Sequence, residues 1–129
     1  MMLALQKEAV DILCLYDARY EGLYGPLFNP ITHRPWNTYY TVAAFGMLFR
    51  LGSEIESFSD TKGVYAVAAT DGNKNAIMIA NISGETQSVE IEGVDLSDAR
   101  WSVIDDVRLL SWLPKMQNIE NNSVVLIEF

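Results

Sequence analysis

Apolar residues crowd into one stretch, Trp36–Gly52 (WNTYYTVAAFGMLFRLG). Trp36, Tyr39, Tyr40, Val42, Ala43, Ala44, Phe45, Met47, Leu48, Phe49 and Leu51 cover nearly the whole circumference of a helix, and Asn37 and Arg50 are its only strongly polar side chains. Pro35 sits just before this helix, and Gly52 is a natural stop after its last turn. A helix that is apolar all round is buried on most sides. The pattern therefore predicts that Trp36–Leu51 lies between two layers.

After Gly52 the apolar period changes to two. Strands are predicted near Ile55–Ser59, Val64–Thr70, Ala76–Asn81, Gln87–Ile91, Ala99–Asp105 and Val124–Phe129. Three turn signals separate some of them: Asp60-Thr61-Lys62-Gly63, Asp71-Gly72-Asn73-Lys74 and Asn81-Ile82-Ser83-Gly84. The Asp-Gly pair supplies the positive-φ residues that tight hairpins need. Short strands so closely joined make an antiparallel sandwich. Val89-Glu90-Ile91-Glu92 alternates and should have one wet face, whereas Val64–Ala69 and Ala76–Ala80 are apolar on both faces and should be central, covered twice. The opposing sheet is one cover and the apolar helix the other.

Ahead of the helix the pattern differs again. Met1, Met2, Leu3 and Leu5 followed by Lys7 and Glu8 resemble the end of a helix. A chain seldom begins in mid-helix, so we expect this one to start inside a larger domain. Ala9–Tyr16 (AVDILCLY) is apolar apart from Asp11 and suits a strand buried on both faces, as in a parallel sheet or barrel. The polar residues Asp17, Arg19, Tyr20 and Glu21 follow at once, as at the catalytic end of a barrel strand. A turn-rich loop, Gly22–Pro35, leads into the helix. The expected fold is thus mainly β with an N-terminal α/β piece: residues 1–52 as a remnant of the last βα unit of a barrel, and residues 53–129 as an antiparallel two-sheet β-sandwich packed with one long helix.

These residues resemble a family. Tyr16-Asp17-Ala18-Arg19, Leu27-Phe28-Asn29, Thr32, Pro35, Tyr39-Tyr40 and Leu51-Gly52 follow the order seen at the end of the catalytic barrel in glycoside hydrolases like those of family 39, the β-xylosidase and iduronidase group. VYAVAATDGNKNAIMIANIS and the final SVVLIEF look like the β-sandwich that follows that barrel. The resemblance implies the C-terminal segment of a glycosidase. It also implies where the chemistry is not: the family's acid/base and nucleophile are two glutamates on other barrel strands. A retaining glycosidase needs two carboxylates about 5 Å apart, and Glu21 and Glu54 stand in no such motif. No catalytic residue is therefore expected in this chain.

Composition narrows the partners. The 129 residues are enough for one domain and 50% are hydrophobic, which permits a real core. The net charge of −8 argues against a nucleic-acid backbone or an anionic membrane as partner. The longest apolar run, Val42–Phe49, is far too short to span a bilayer, and the first residues lack the basic region and cleavage site of a signal peptide. The compartment stays open. Cys14 is the one cysteine, so no internal disulfide and no metal-type spacing exist, and its apolar setting reads as a buried, inert thiol. Neither a cofactor nor a metal is implied.

Each remaining polar or aromatic candidate has two readings. Asp17 and Arg19 either bind sugar hydroxyls in the parent enzyme or form an ion pair that locks the loop to the barrel rim. His33 reads as an exposed loop residue before it reads as a base. Trp36, Trp101 and Trp112 read as core or interface before sugar platforms. Asp105-Asp106 read as a solvated turn before a calcium site, which takes six or more oxygens. Asn81-Ile82-Ser83 and Asn121-Asn122-Ser123 match the weak glycosylation pattern.

Two function classes follow: the structural β-sandwich of a glycoside hydrolase, which meets carbohydrate through the parent enzyme, and an independent carbohydrate-binding or protein-interaction module. The first 52 residues favour the former, since a free-standing module has no use for a barrel fragment. A complete small enzyme lacks any nucleophile–base pair. Standing alone, the chain is expected to form a homodimer through Trp36–Leu51 and Ile12–Tyr16, which covers the apolar surface that the rest of a barrel would otherwise cover; the alternative is that Met1–Arg19 folds back over its own helix and gives a monomer.

Overall fold

The computed structural model describes residues 1–6, 8–14, 19 and 27–129. Among the described residues two helices, α1 (Met2–Leu5) and α2 (Asn37–Phe49), precede eight strands: β1 (Ser53–Ile55), β2 (Val64–Thr70), β3 (Asn75–Asn81), β4 (Gln87–Ser88), β5 (Arg100–Ile104), β6 (Leu109–Leu113), β7 (Asn118–Ile119) and β8 (Ser123–Glu128). Six of these form one antiparallel sheet in the order β1-β2-β3-β8-β5-β6, and β4 and β7 form a second, two-stranded one. The expected mainly β, two-sheet antiparallel arrangement with one long helix packed on it is the observed one. Among the described residues, no helix is long and apolar enough to cross a membrane.

The central strands show why their sequence does not alternate. On one face of the large sheet Val67, Ala69, Ala76, Met78, Ile104 and Leu126 pack against Leu3 of α1 and Ala44 and Leu48 of α2. On the other face Ala68, Ile77, Ile79, Trp101, Val103, Val125 and Ile127 pack against Leu96 and against Ile119 of β7. Successive side chains of a strand point to opposite faces, so two dry faces require apolar residues at every position. The short strand β4 covers far less than predicted. Val89–Glu92 leaves the ladder after Ser88, although its burial still alternates, with Val89 and Ile91 on the core and Glu90 and Glu92 exposed.

Turn chemistry sets the connections. Asp71 N–H donates to Lys74 O at 3.1 Å, Asp71 Oδ1 accepts from Asn73 N–H and Lys74 N–H, and Gly72 takes φ +92°. Those two N–H bonds hold the Asp71 carboxyl below the usual carboxylate range. Gly63 has a different reason to be glycine. Its φ is +83°, and a Cβ there would meet Ser83 Cα at 2.7 Å, where the turn before β2 presses on the end of β3. Asn81 ends β3 wholly buried. Its Nδ2 donates to Glu85 O and Ile119 O, which ties the small sheet to the large one. A side chain so enclosed cannot carry a glycan in the folded protein, so that pattern match is structural.

Several expectations are corrected. Ala9–Cys14 are exposed and belong to no strand, and Leu15 and Tyr16 lie outside the described residues. A strand buried on both faces needs neighbours on both sides, and among the described residues no strand of this chain stands beside it. Cys14 is consequently exposed, not buried. The helix ends at Phe49, and the first strand after it is Ser53–Ile55, not Ile55–Ser59. Strands β6 and β7 were not foreseen.

Candidate functional site

The start of α2 is fixed by a folded loop. Trp36 N–H donates to Leu27 O at 2.9 Å, Asn29 N–H to Arg34 O at 2.8 Å, and Phe28 bridges to Pro35. Within the loop Asn29 Oδ1 accepts from Ile31 and Thr32 N–H, and His33 takes φ +57° on the surface, as an exposed loop residue. The Phe28 ring lies 5.4 Å from that of Tyr39, which in turn meets Tyr40 edge-on at 5.4 Å. Tyr40 continues inward to the core while Tyr39 stays at the surface.

That geometry divides the helix. Ala44 and Leu48 are buried, and Tyr40, Phe45, Met47 and Leu51 pack beside them. Trp36 (44% exposed) and Phe49 (77%) face out together with Tyr39. Trp112 of β6 is 64% exposed. It shares a sheet face with Leu110, which packs into the helix-side core, so Trp112 stands on the same side of the sheet as α2. Helix and edge strand thus present four aromatic side chains to solvent. Of the three tryptophans expected in core or interface, Trp101 is in the core, and Trp36 and Trp112 fall to the interface half of that expectation. Trp36 and Trp112 are exposed because, among the described residues, the helix has cover on one side and β6 ends the sheet.

A buried polar knot joins the two elements. Asn37 Nδ2 donates to Asp105 O. Asp105, 6% exposed, accepts from Val107 N–H and Arg108 N–H through Oδ1 and pairs through Oδ2 with the Arg108 guanidinium, which also faces Glu120. Burial would raise the Asp105 carboxyl, but the Arg108 hydrogen bond and the two backbone N–H groups outweigh it and hold the group below its ordinary value. Asp105 is thus closed inside a structural turn, while Asp106 and Val107 of the same turn are exposed, as expected of a solvated turn. Among the described residues no cluster of His, Cys, Asp or Glu fits a metal. Asp105→Ala should lose about 1–3 kcal/mol, because buried donors are left without an acceptor. A depressed carboxyl contributes stability above its unfolded pKa of about 3.9, which is lost as pH falls through the folded value. Urea melts between about pH 5 and pH 2 should therefore show a steeper acid loss in the wild type than in Asp105→Asn.

Asp17 and Glu21 lie outside the described residues, and Arg19 is exposed. Glu54 is exposed on the edge strand β1. The expected sugar-binding pair, Asp17 with Arg19, therefore lies partly outside the described residues. The aromatic face was missed in part because nothing in LLSWL alternates, so Trp112 could not be assigned a face.

No protein-family model matches the chain and no curated protein matches it. Solved structures do resemble it. A family 30 glycoside hydrolase xylanase (subfamily 8) from Clostridium acetobutylicum superposes with a TM-score of 0.64 at 18% identity over 80% of this chain. A family 30 endoxylanase from Clostridium papyrosolvens does so with a TM-score of 0.62 at 16% identity over 75% of this chain. The chain spans 30% and 28% of the length of those two proteins. It thus shares the fold of one part of these glycoside hydrolases.

Proposed function

We propose that this chain is a non-catalytic β-sandwich portion of a glycoside hydrolase, with residues 1–52 contributing the last βα unit of its barrel. The observation that carries this reading is the likeness of the sheet-and-helix unit to under a third of two xylanase chains. The exposed aromatic face of α2 supports it, since such a face is suited to the remainder of a barrel. The role is to brace that barrel. Asp17 and Arg19 would then sit at its rim and meet sugar hydroxyls, with xylan-type polymers as the substrate class. The motif order favours family 39 as the finer assignment, while the fold likeness is to family 30; the proposal stands at the level common to both.

Without the rest of a barrel, two copies should cover each other through Trp36–Leu51, with Ile12–Tyr16 across the axis. An apolar interface above roughly 1,000 Å² would be needed. Light scattering of the purified chain should give about twice the 14.5 kDa chain mass. Phe49→Glu, an exposed position whose change should cost the fold less than about 0.5 kcal/mol, should return it to a monomer. A wild-type mass of 14.5 kDa would end the dimer proposal.

A further inference from the structure

On the face of the large sheet away from α2 the chain leaves a groove. β4 and β7 pair through Gln87–Ile119 and Ser88–Asn118, and Val89 N–H still reaches Gln117 O at 2.8 Å. No backbone hydrogen bond joins the two segments further on. The space between them is about 470 Å³, within the size range of small-molecule sites. Ile91, Leu96 and Met116 give it apolar lining, and Glu90, Lys115 and Gln117 give it polar groups.

Trp101 also lines this groove. It is 3% exposed, and its indole Nε1 is buried with no hydrogen-bond partner. Nearly all buried donors in folded proteins find an acceptor, and an orphan calls for an explanation. An indole nitrogen only donates, so what is missing is an acceptor oxygen. Charge limits who can bring it. Glu90 and Lys115 cancel within the groove, and the chain as a whole is at −8, so neither an anion nor a cation is selected. A neutral ligand with many hydroxyls fits: its C–H faces suit the apolar lining, and its oxygens both donate and accept.

We propose that this groove binds a neutral saccharide, one of whose oxygens accepts the Trp101 indole N–H. The N–H has almost no free surface, so the groove's lining must shift to admit that oxygen, and Met116, unbranched and adaptable, is among the lining residues. The choice of a saccharide among neutral polyols rests on the glycoside-hydrolase reading above. The groove lies across the sheet from α2, so it stays open when the aromatic face is covered.

The test is a titration of the 129-residue chain with xylotetraose, followed by NMR of the indole N–H signals of its three tryptophans. The Trp101 signal, identified by Trp101→Phe or by backbone assignment if that variant fails to fold, should move saturably. Lys115→Met and Glu90→Gln, both at the surface, should each weaken binding about tenfold, near 1.4 kcal/mol, with an unchanged circular dichroism spectrum. A Trp101 signal unmoved at about 10 mM sugar, far above a millimolar dissociation constant, would overturn the site and leave a resident water as the acceptor. Movement confined to Trp36 or Trp112 would also overturn it, while keeping the glycoside-hydrolase reading, because the sugar would then sit on the helix side.

Discussion

Met78→Ala should remove about 2–5 kcal/mol of folding stability, the range for truncating a buried methionine. Met78 is wholly buried in β3, a strand with neighbours on both sides, β2 and β8. Its side chain faces α2 and belongs to the cluster that holds Ala44 and Leu48 of the helix to the sheet. Alanine there removes contacts on both sides of that interface, and the flanking alanines of the same face, Ala76 and Ala80, have no reach with which to fill the space. Domains of this size are stable by only about 5–15 kcal/mol, so the variant should melt at a much lower urea midpoint. Met78→Leu conserves volume and should cost under about 1.5 kcal/mol. A loss below about 1 kcal/mol for the alanine variant, well under the usual range, would mean that α2 is not seated on the sheet as described.

The second large effect is an absence of turnover. Purified alone, the chain should hydrolyse aryl xylosides no faster than buffer. Glycosidases achieve their rates with a carboxylate pair on either side of the bond, and enzymes in general supply roughly 10⁶-fold or more. The chain matches no motif for such a pair, and Glu54 is exposed at a sheet edge. Release of nitrophenol well above the blank, abolished by Glu21→Gln or Asp17→Asn, would contradict this.

How much the sequence revealed depended on how local the deciding physics was. The bounds of β2 follow from the run VYAVAAT and the Asp-Gly turn after it, both of which lie within a dozen residues. The double cover of β2 and β3 was legible because two dry faces demand apolar residues at every position. α2 was legible from its circumference, but its surroundings were not. A helix apolar all round predicts cover on two sides, and the described residues supply one. Strand β6 was hidden for a different reason. Leu109 and Leu110 are adjacent, Leu110 takes φ +58°, and the register with β5 shifts between Val103 and Ile104, so no two-residue period survives. β7 is two residues long and owes its place to Asn81 and Ile119, partners far off in sequence. Val89–Glu92 shows the converse: it alternates, yet the facing residues Lys115 and Met116 stand apart from it beyond the Val89–Gln117 hydrogen bond. The apolar run AVDILCLY gave the wrong answer for Cys14, because an apolar pattern states what a segment needs and not whether this chain provides it. The groove beside Trp101 left no trace in the sequence, since it is made by the divergence of two segments that pair only at their ends.

The most direct test of the central claim is the DNA sequence upstream of the codon for Met1. A chain that serves as the β-sandwich portion of a glycoside hydrolase should be preceded, in frame, by a barrel whose strands carry two glutamates placed as a catalytic pair. A stop codon shortly before Met1, with no such barrel in frame, would contradict it.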